Sequence, residues 1–357
     1  MEQLLLLHQW VSETLPKLAS SGVLTPPVLS GKPLSLLPLT GDAGSRQYFR
    51  VNTSPECLLV NGPKQAGKSE SGAYFAELSS LLRQQSVPTP TVYACDPDNN
   101  YLLIESFGST DLLDVLSIES VEAYYPLAES TLIQLQQATQ LTSRLPIYDN
   151  ALLLKEMALF PEWFVENMLG HVLSPEERQM LDQLTFFLAQ KAVEQPQVVV
   201  HRDYHSRNLM YRDSGELGVI DFQDAVVGPV TYDIVSLLKD CYVRWPTESV
   251  QRWAIDYMNM ASKAGVMEDV PPQQFLQWFD FMGLQRHIKV LGIFSRLSLR
   301  DGKDRYLNDL PLVMRYVLEV AQKYPQTQAF AQWFEQVLLP KVIAQPWYRD
   351  YNTAGDV

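Results

Sequence analysis

Apolar positions recur along this chain with two different spacings, and the spacing changes near residue 105. Residues 3–19 set leucines, a tryptophan and a valine three and four apart, the pattern of an amphipathic helix. "LTPPVLSGKPLSLLPL" follows, too rich in proline to continue that helix, and reads as a connector. "SRQYFRV" and "ECLLV" are short β-type runs, the first led in by the turn-rich "TGDAGS". A helix is expected over 72–85. Two further strands follow, one ending near Cys95 and one over Tyr101–Glu105, turned by Asp98-Asn99-Asn100. This β-β-α-β-β order predicts a small antiparallel sheet with one helix.

Beyond Phe107 the helical period takes over, at 111–117, 119–142, 150–169, 175–194 and in several segments from 231 onward. One β-rich island, 196–225, interrupts it, with apolar runs at 198–200, 209–211 and 217–220. No internal repeat or low-complexity tract is visible. The expected architecture is α+β and two-lobed: a small β-rich lobe over 1–105, and a larger, mainly helical lobe over 106–357.

Composition narrows the function classes. Net charge is −13 over 357 residues, which argues against nucleic acid or an anionic membrane as the main partner. Cys57, Cys95 and Cys241 lie far apart with no metal or redox spacing, as expected of free thiols in a reducing compartment. Glu2 stands where a signal peptide would be basic, and no run approaches the roughly 20 apolar residues of a membrane span. The expected location is the cytoplasm.

Two motifs compete to carry the chemistry. Gly62, Gly67, Lys68 and Ser69 satisfy the phosphate-loop pattern G-x-x-x-x-G-K-[ST]. A working phosphate loop follows a strand in a doubly wound parallel sheet, and no alternating βαβ pattern surrounds residue 60. Pro63 would also remove one backbone N–H from the loop. The segment therefore reads as a loop between strand and helix of the small lobe.

The second motif is "HRDYHSRN", which places His201, Arg202, Asp203 and Asn208 as H-R-D-x-x-x-x-N, with Asp221 following in "VIDF". Phosphoryl transfer to a hydroxyl needs such parts. One carboxylate accepts the hydroxyl proton, and an amide oxygen with a second carboxylate holds Mg²⁺ against ATP phosphates. His201 reads as a loop-packing residue, whereas His205 reads equally as packing the loop or orienting Asp203.

At these residues the chain resembles the aminoglycoside phosphotransferase and choline-kinase-like family, relatives of protein kinases. The resemblance runs over about 36–316 and rests on D-x-H-x-x-N (Asp203, His205, Asn208) and I-D-F (Ile220, Asp221, Phe222). "FQDAVVGPVTYDIVSLLKD", "LFPEWF" and "RHIKVLGIFSRLSLRDGKDRYL" further resemble bacterial kinases that phosphorylate the anomeric hydroxyl of N-acetylmuramate and N-acetylglucosamine in cell-wall recycling. The resemblance implies a protein-kinase-like fold, ATP and Mg²⁺ as cofactors, Asp203 as catalytic base, and Asn208 and Asp221 as metal ligands. It places the adenine at the connector near Glu105 and Phe107, and the phosphates under the hairpin that carries Gly41, Gly44 and Arg46.

One departure stands out. Family members carry a lysine in the strand after that hairpin, but here the strand reads Leu58-Leu59-Val60-Asn61, and Glu77 is the one glutamate the helix offers as its partner. Arg46, Arg50, Lys64 and Lys68 are the substitutes available.

On the acceptor side, Glu156, Phe160 and Trp163 share one helical face if Pro161 only kinks the helix, offering a ring platform and a hydroxyl acceptor. Arg286, Lys289, Arg296 and Arg300 form one basic helical stripe, suited to an anionic substrate such as a sugar bearing a lactyl carboxylate. The expectation is an ATP- and Mg²⁺-dependent small-molecule kinase. Its rivals are a kinase for another acceptor (an aminoglycoside, choline or homoserine), a pseudokinase-type binding protein, and a phosphate-loop NTPase.

Overall fold

The structure is a computed structural model describing residues 2–39, 45–212 and 214–356. Gly41 and Gly44 lie outside the described residues. The chain divides into two compact units, Met1–Leu112 with Asn208–Asp224, and Leu113–Arg207 with Ala225–Val357.

The first unit opens with helix α1 (Glu2–Ser20). Strands β1 (Leu36–Leu39), β2 (Gln47–Val51) and β3 (Cys57–Asn61) follow, then helix α2 (Gly72–Gln84) and strands β4 (Val92–Asp96) and β5 (Tyr101–Glu105). They form one antiparallel sheet in the order β1-β2-β3-β5-β4. Strand alternation sends Phe49, Val51, Cys57, Leu59, Tyr101 and Leu103 to the face covered by Leu7, Val11 and Leu15 of α1. Tyr48, Arg50, Leu58 and Val60 therefore point from the opposite face.

One feature of the first unit differs from the sequence reading. The proline-rich connector contains a strand, β1, in which Pro38 pairs in register with Phe49. Proline is tolerated there because β1 is the sheet edge, where a missing N–H breaks no second ladder.

The phosphate-loop pattern has a structural explanation. β3 is antiparallel to both its neighbours, which a phosphate loop does not allow. Asn100, in the left-handed region at φ 57°, reaches into the 62–71 loop. Its amide donates to the carbonyls of Pro63 (2.9 Å) and Glu70 (3.1 Å) and its oxygen accepts from the Gly72 N–H (2.6 Å). A Cβ on Gly62 would lie 2.2 Å from the Asn100 amide nitrogen. Gly62 is glycine for Asn100, not for phosphate.

The chain continues through α3 (Leu112–Val115), α4 (Val121–Gln136), α5 (Asn150–Met157), α6 (Pro175–Val193) and β6 (Gln197–Val200). It then forms β7 (Leu209–Tyr211), β8 (Leu217–Val219), β9 (Val226–Pro229), α7 (Tyr232–Leu238), α8 (Thr247–Lys263), α9 (Pro272–Asp301) and α10 (Leu310–Lys323). In the second unit β6 pairs antiparallel with β9, and the long helix α9 runs through the core, with most of residues 278–295 buried. The β7–β8 hairpin belongs to the first unit. Its backbone joins Tyr211 N–H to Thr110 (3.0 Å) and Val219 N–H to Pro88 (2.9 Å). No helix among the described residues is long and apolar enough to cross a membrane.

The helix expected over 150–169 does not run straight through. α5 ends at Met157 and a wider π-helical segment, Phe160–Met168, begins beside Pro161, which has no N–H for the α ladder. Glu156 thus loses the shared face expected with Phe160 and Trp163. Phe160 is buried against Phe164, Phe330 and Phe334, while Trp163 stays half-buried.

Candidate active site

In the second unit the segment after β6 is held by two aspartates on and just beyond α7. Arg202 adopts φ 79°, and the turn this makes lets the N–H groups of His201 (2.6 Å) and Arg202 (3.0 Å) donate to the Asp233 carboxylate. Burial pushes Asp233 up to about 6, against the pull of His201 and those two N–H groups. Asp240 accepts from the Ser206 N–H (3.0 Å) and hydroxyl (2.5 Å). Tyr204 anchors the middle, donating to the Ala128 carbonyl at 2.8 Å. Asp203 is thus presented from a loop fixed on both sides. Sequence reading quoted "YDIVSLLKD" without singling out Asp233 and Asp240, whose seven-residue spacing, two helical turns, was the available signal.

Charge collects around Asp203. Burial would raise its pKa, but Lys289 foremost, with Arg286 and Arg202, holds the carboxyl below its ordinary value. Lys289 and Arg286 are only 5% and 4% exposed. The Lys289 ammonium donates to the Tyr232 hydroxyl (2.7 Å) and lies 3.5 Å from Glu156. Arg286 makes one hydrogen bond, to the Cys241 thiol at 3.5 Å, and its Nε has no partner. The four-residue basic stripe accordingly splits. Arg286 and Lys289 are buried, Arg296 is half-buried with an unpartnered Nε, and Arg300 is exposed and paired to Asp301.

Glu156 differs from its expected role. Its carboxylate is taken by Arg202, the Tyr148 hydroxyl and Lys289. It orients two cations instead of standing free for a sugar hydroxyl. His205 is held neutral, burial lowering its pKa, with its N–H on the Asp203 carbonyl (3.0 Å) and its Nδ1 unpartnered.

In the first unit the β7–β8 hairpin brings two oxygen donors together. Leu209 pairs with Val219, and the Ile220 N–H donates to the Asn208 carbonyl at 3.1 Å, so Asn208 and Asp221 flank the same end of the hairpin. Asp221 sits at φ 64° and is exposed, with one oxygen accepting from Gln223 at 2.6 Å. No group of three or more His, Cys, Asp or Glu placed to hold a metal occurs among the described residues. One amide and one carboxylate fit Mg²⁺, which keeps water and takes its other oxygens from phosphate.

The connector is tightly held. Glu105 accepts from the Thr91 N–H (3.0 Å) and hydroxyl (2.8 Å) and pairs with Arg212 (2.9 Å). Phe107 is buried so close to Gly218 that a Cβ there would meet its ring at 2.4 Å.

Residues 35–271 match the phosphotransferase enzyme family. The chain belongs to that family. Two relatives are an N-acetylmuramate/N-acetylglucosamine kinase of Pseudomonas aeruginosa, 39% identical over 82% of this chain and 86% of its own, and one of the same name from Pseudomonas putida, 37% identical over 82% and 85%. Among solved structures, an ADP-bound aminoglycoside phosphotransferase, APH(2'')-Ib, superposes with a TM-score of 0.55 at 16% identity, over 82% of this chain and 96% of that one. The phosphotransferase family fold accounts for the small antiparallel sheet with its helix and the loop-and-hairpin segment 197–224.

Proposed function

We propose that this phosphotransferase moves the terminal phosphoryl group of ATP onto the anomeric hydroxyl of an N-acetylated amino sugar, N-acetylmuramate or N-acetylglucosamine, as a step of cell-wall recycling. The observation that carries the chemistry is Asp203, an ionised carboxylate on a loop fixed by Asp233 and Asp240. Asp203 takes the proton from the attacking hydroxyl as the new P–O bond forms and the bond to ADP breaks. Lys289, Arg286 and Arg202 keep it ionised and set three cations near it, an environment matched to an anionic phosphoryl group and a carboxylated sugar. Asn208 and Asp221 would hold Mg²⁺, which when bound neutralises charge on the nucleotide phosphates. Glu105 and Phe107 would set the connector against the adenine.

The names of the relatives support the acceptor, and the buried cations support an acidic substituent on it. The test is phosphate incorporation from labelled ATP into a panel of amino sugars, aminoglycosides, choline and homoserine. An acid-labile sugar 1-phosphate from N-acetylmuramate and N-acetylglucosamine is expected. Turnover only with another acceptor would remove the amino sugar and leave the kinase.

A further inference from the structure

Four basic residues are available to replace the absent β3 lysine, and the structure separates them. Arg50 is committed to Glu56 at 2.9 Å. Lys64 is exposed, in the loop that Asn100 ties down at Pro63 and Glu70. Lys68 lies over the Tyr74 ring at 4.9 Å. Arg46 is different on each count. It precedes β2 by one residue and, two before Tyr48, continues the side-chain alternation on the face opposite α1.

Its guanidinium is fixed, and the Glu70 carboxylate, itself held by the Ser45 hydroxyl and the Gly67 N–H, is within its electrostatic reach. The guanidinium donates to the Ser69 carbonyl at 2.7 Å and lies 5.4 Å over the Phe75 ring of α2, and it forms no ion pair with a described residue. The Phe75 ring lies 4.8 Å from that of Phe222, tilted by 37°; Phe222 is the residue after Asp221. The Tyr48 hydroxyl lies within electrostatic reach of both ends of this arrangement. After burial, which raises its pKa, the charges acting on it are Arg46 downward and Asp221 upward. A cation and the exposed carboxylate that would hold the metal are therefore anchored through one aromatic pair.

We propose that Arg46 is the nucleotide-phosphate cation of this chain, delivered from the start of β2 in place of a β3 lysine. The inference rests on the ATP-dependent reading above and adds where the phosphate charge is met. With Ser69, Tyr48 and the ring beneath holding it, the guanidinium keeps further N–H donors of its planar, five-donor fork for phosphate oxygens, which a lysine held in the same way would not provide. It also gives the 62–71 loop a role. That loop supplies the Ser69 carbonyl that aims the arginine, and Gly62 and Asn100 set the loop.

The experiment is calorimetric titration of the full chain with ATP, ADP and adenosine, with and without Mg²⁺. Arg46→Ala should weaken ATP and ADP by roughly ten- to a hundredfold and leave adenosine unchanged. Arg46→Lys should recover part of the loss, and Lys64→Ala should bind all three like the unmodified protein. Wild-type ADP affinity in Arg46→Ala overturns the proposal. Equal weakening of adenosine also overturns it, since it would make Arg46 structural. Tyr48→Phe, which keeps the arginine and its anchor to Ser69, serves if Arg46→Ala does not fold, and should weaken ADP more than adenosine; equal effects on the two count against the proposal. Binding is read without turnover. If the sugars are not phosphorylated but ADP binding depends on Arg46, the acceptor reading fails and this one stands; if the unmodified chain binds no adenine nucleotide, both fail.

Discussion

Asp203 is the proposed base, and its neighbours determine what a substitution there does. Asp203→Asn keeps size and most hydrogen-bonding capacity but removes the group proposed to take the hydroxyl proton. kcat should fall by roughly 10²–10⁴-fold with nucleotide affinity nearly unchanged, and near-normal turnover would show that Asp203 is not the base. Arg286 makes a second, sharper prediction. It is buried with a thiol hydrogen bond and an unpartnered Nε, a donor that a ligand carboxylate would satisfy. Arg286→Ala should therefore harm the N-acetylmuramate reaction more than the N-acetylglucosamine one, shifting selectivity by roughly ten- to a hundredfold; equal losses on the two sugars would confine Arg286 to holding Asp203 ionised. Asp203, Asn208 and Asp221 stand out in the sequence as a candidate set because their spacing is local. The role of Glu156 was not legible there. A carboxylate read as free for a sugar is in fact shared by Tyr148, Arg202 and Lys289, and no local pattern announces partners brought in from distant segments.

At the scale of elements, periodicity located most helices and strands; β9 lay just past the β-rich island read over 196–225, and two other misses involve proline. Pro38 hid an edge strand, and Pro161 split a helix into an α and a π segment. The phosphate-loop match was correctly set aside, and β3's antiparallel pairing predicts its behaviour. Lys68→Ala should cost only a modest part of kcat/KM, whereas a complete loss confined to that variant would contradict the sheet topology. Helix packing supplies a test through pH. Glu129 of α4 is 2% exposed with Oε1 unpartnered, and burial, with Asp256 of α8 adding, pushes its carboxyl up to about 8. An unfolded glutamate titrates near about 4.3. Between those values the folded chain holds the extra proton, so this contribution is complete below about pH 4.3 and is lost as pH rises through 8. Glu129→Gln, neutral throughout, should melt close to wild type at pH 5 and above it at pH 9. Parallel melting curves across that range would show that Glu129 is not buried as a neutral acid.

For the whole molecule, the division of the chain was the hardest thing to read. A boundary near residue 105 follows from the change of period, but 208–224 groups with Met1–Leu112 through contacts that sequence does not display. Phe107 lies against Gly218, Arg212 pairs with Glu105 and Phe75 packs against Phe222. The hairpin bearing Asn208 and Asp221 is thus built into the unit that holds Arg46, and whole-chain stability reports on both. A ligand present at about 100 times its Kd stabilises the state it binds by about 2.7 kcal/mol, enough to move a melting temperature of a chain this size by a few degrees. ADP with Mg²⁺ should raise the melting temperature more than ADP with a chelator. Asp221→Ala should erase the Mg²⁺-dependent increment and keep the increment due to ADP alone, because it removes the proposed metal ligand and leaves Arg46 in place. Arg46→Ala should do the reverse in part, lowering the ADP increment while Mg²⁺ still adds to what remains. If Asp221→Ala keeps the full Mg²⁺ increment, its exposed carboxylate is a turn residue and the metal lies elsewhere.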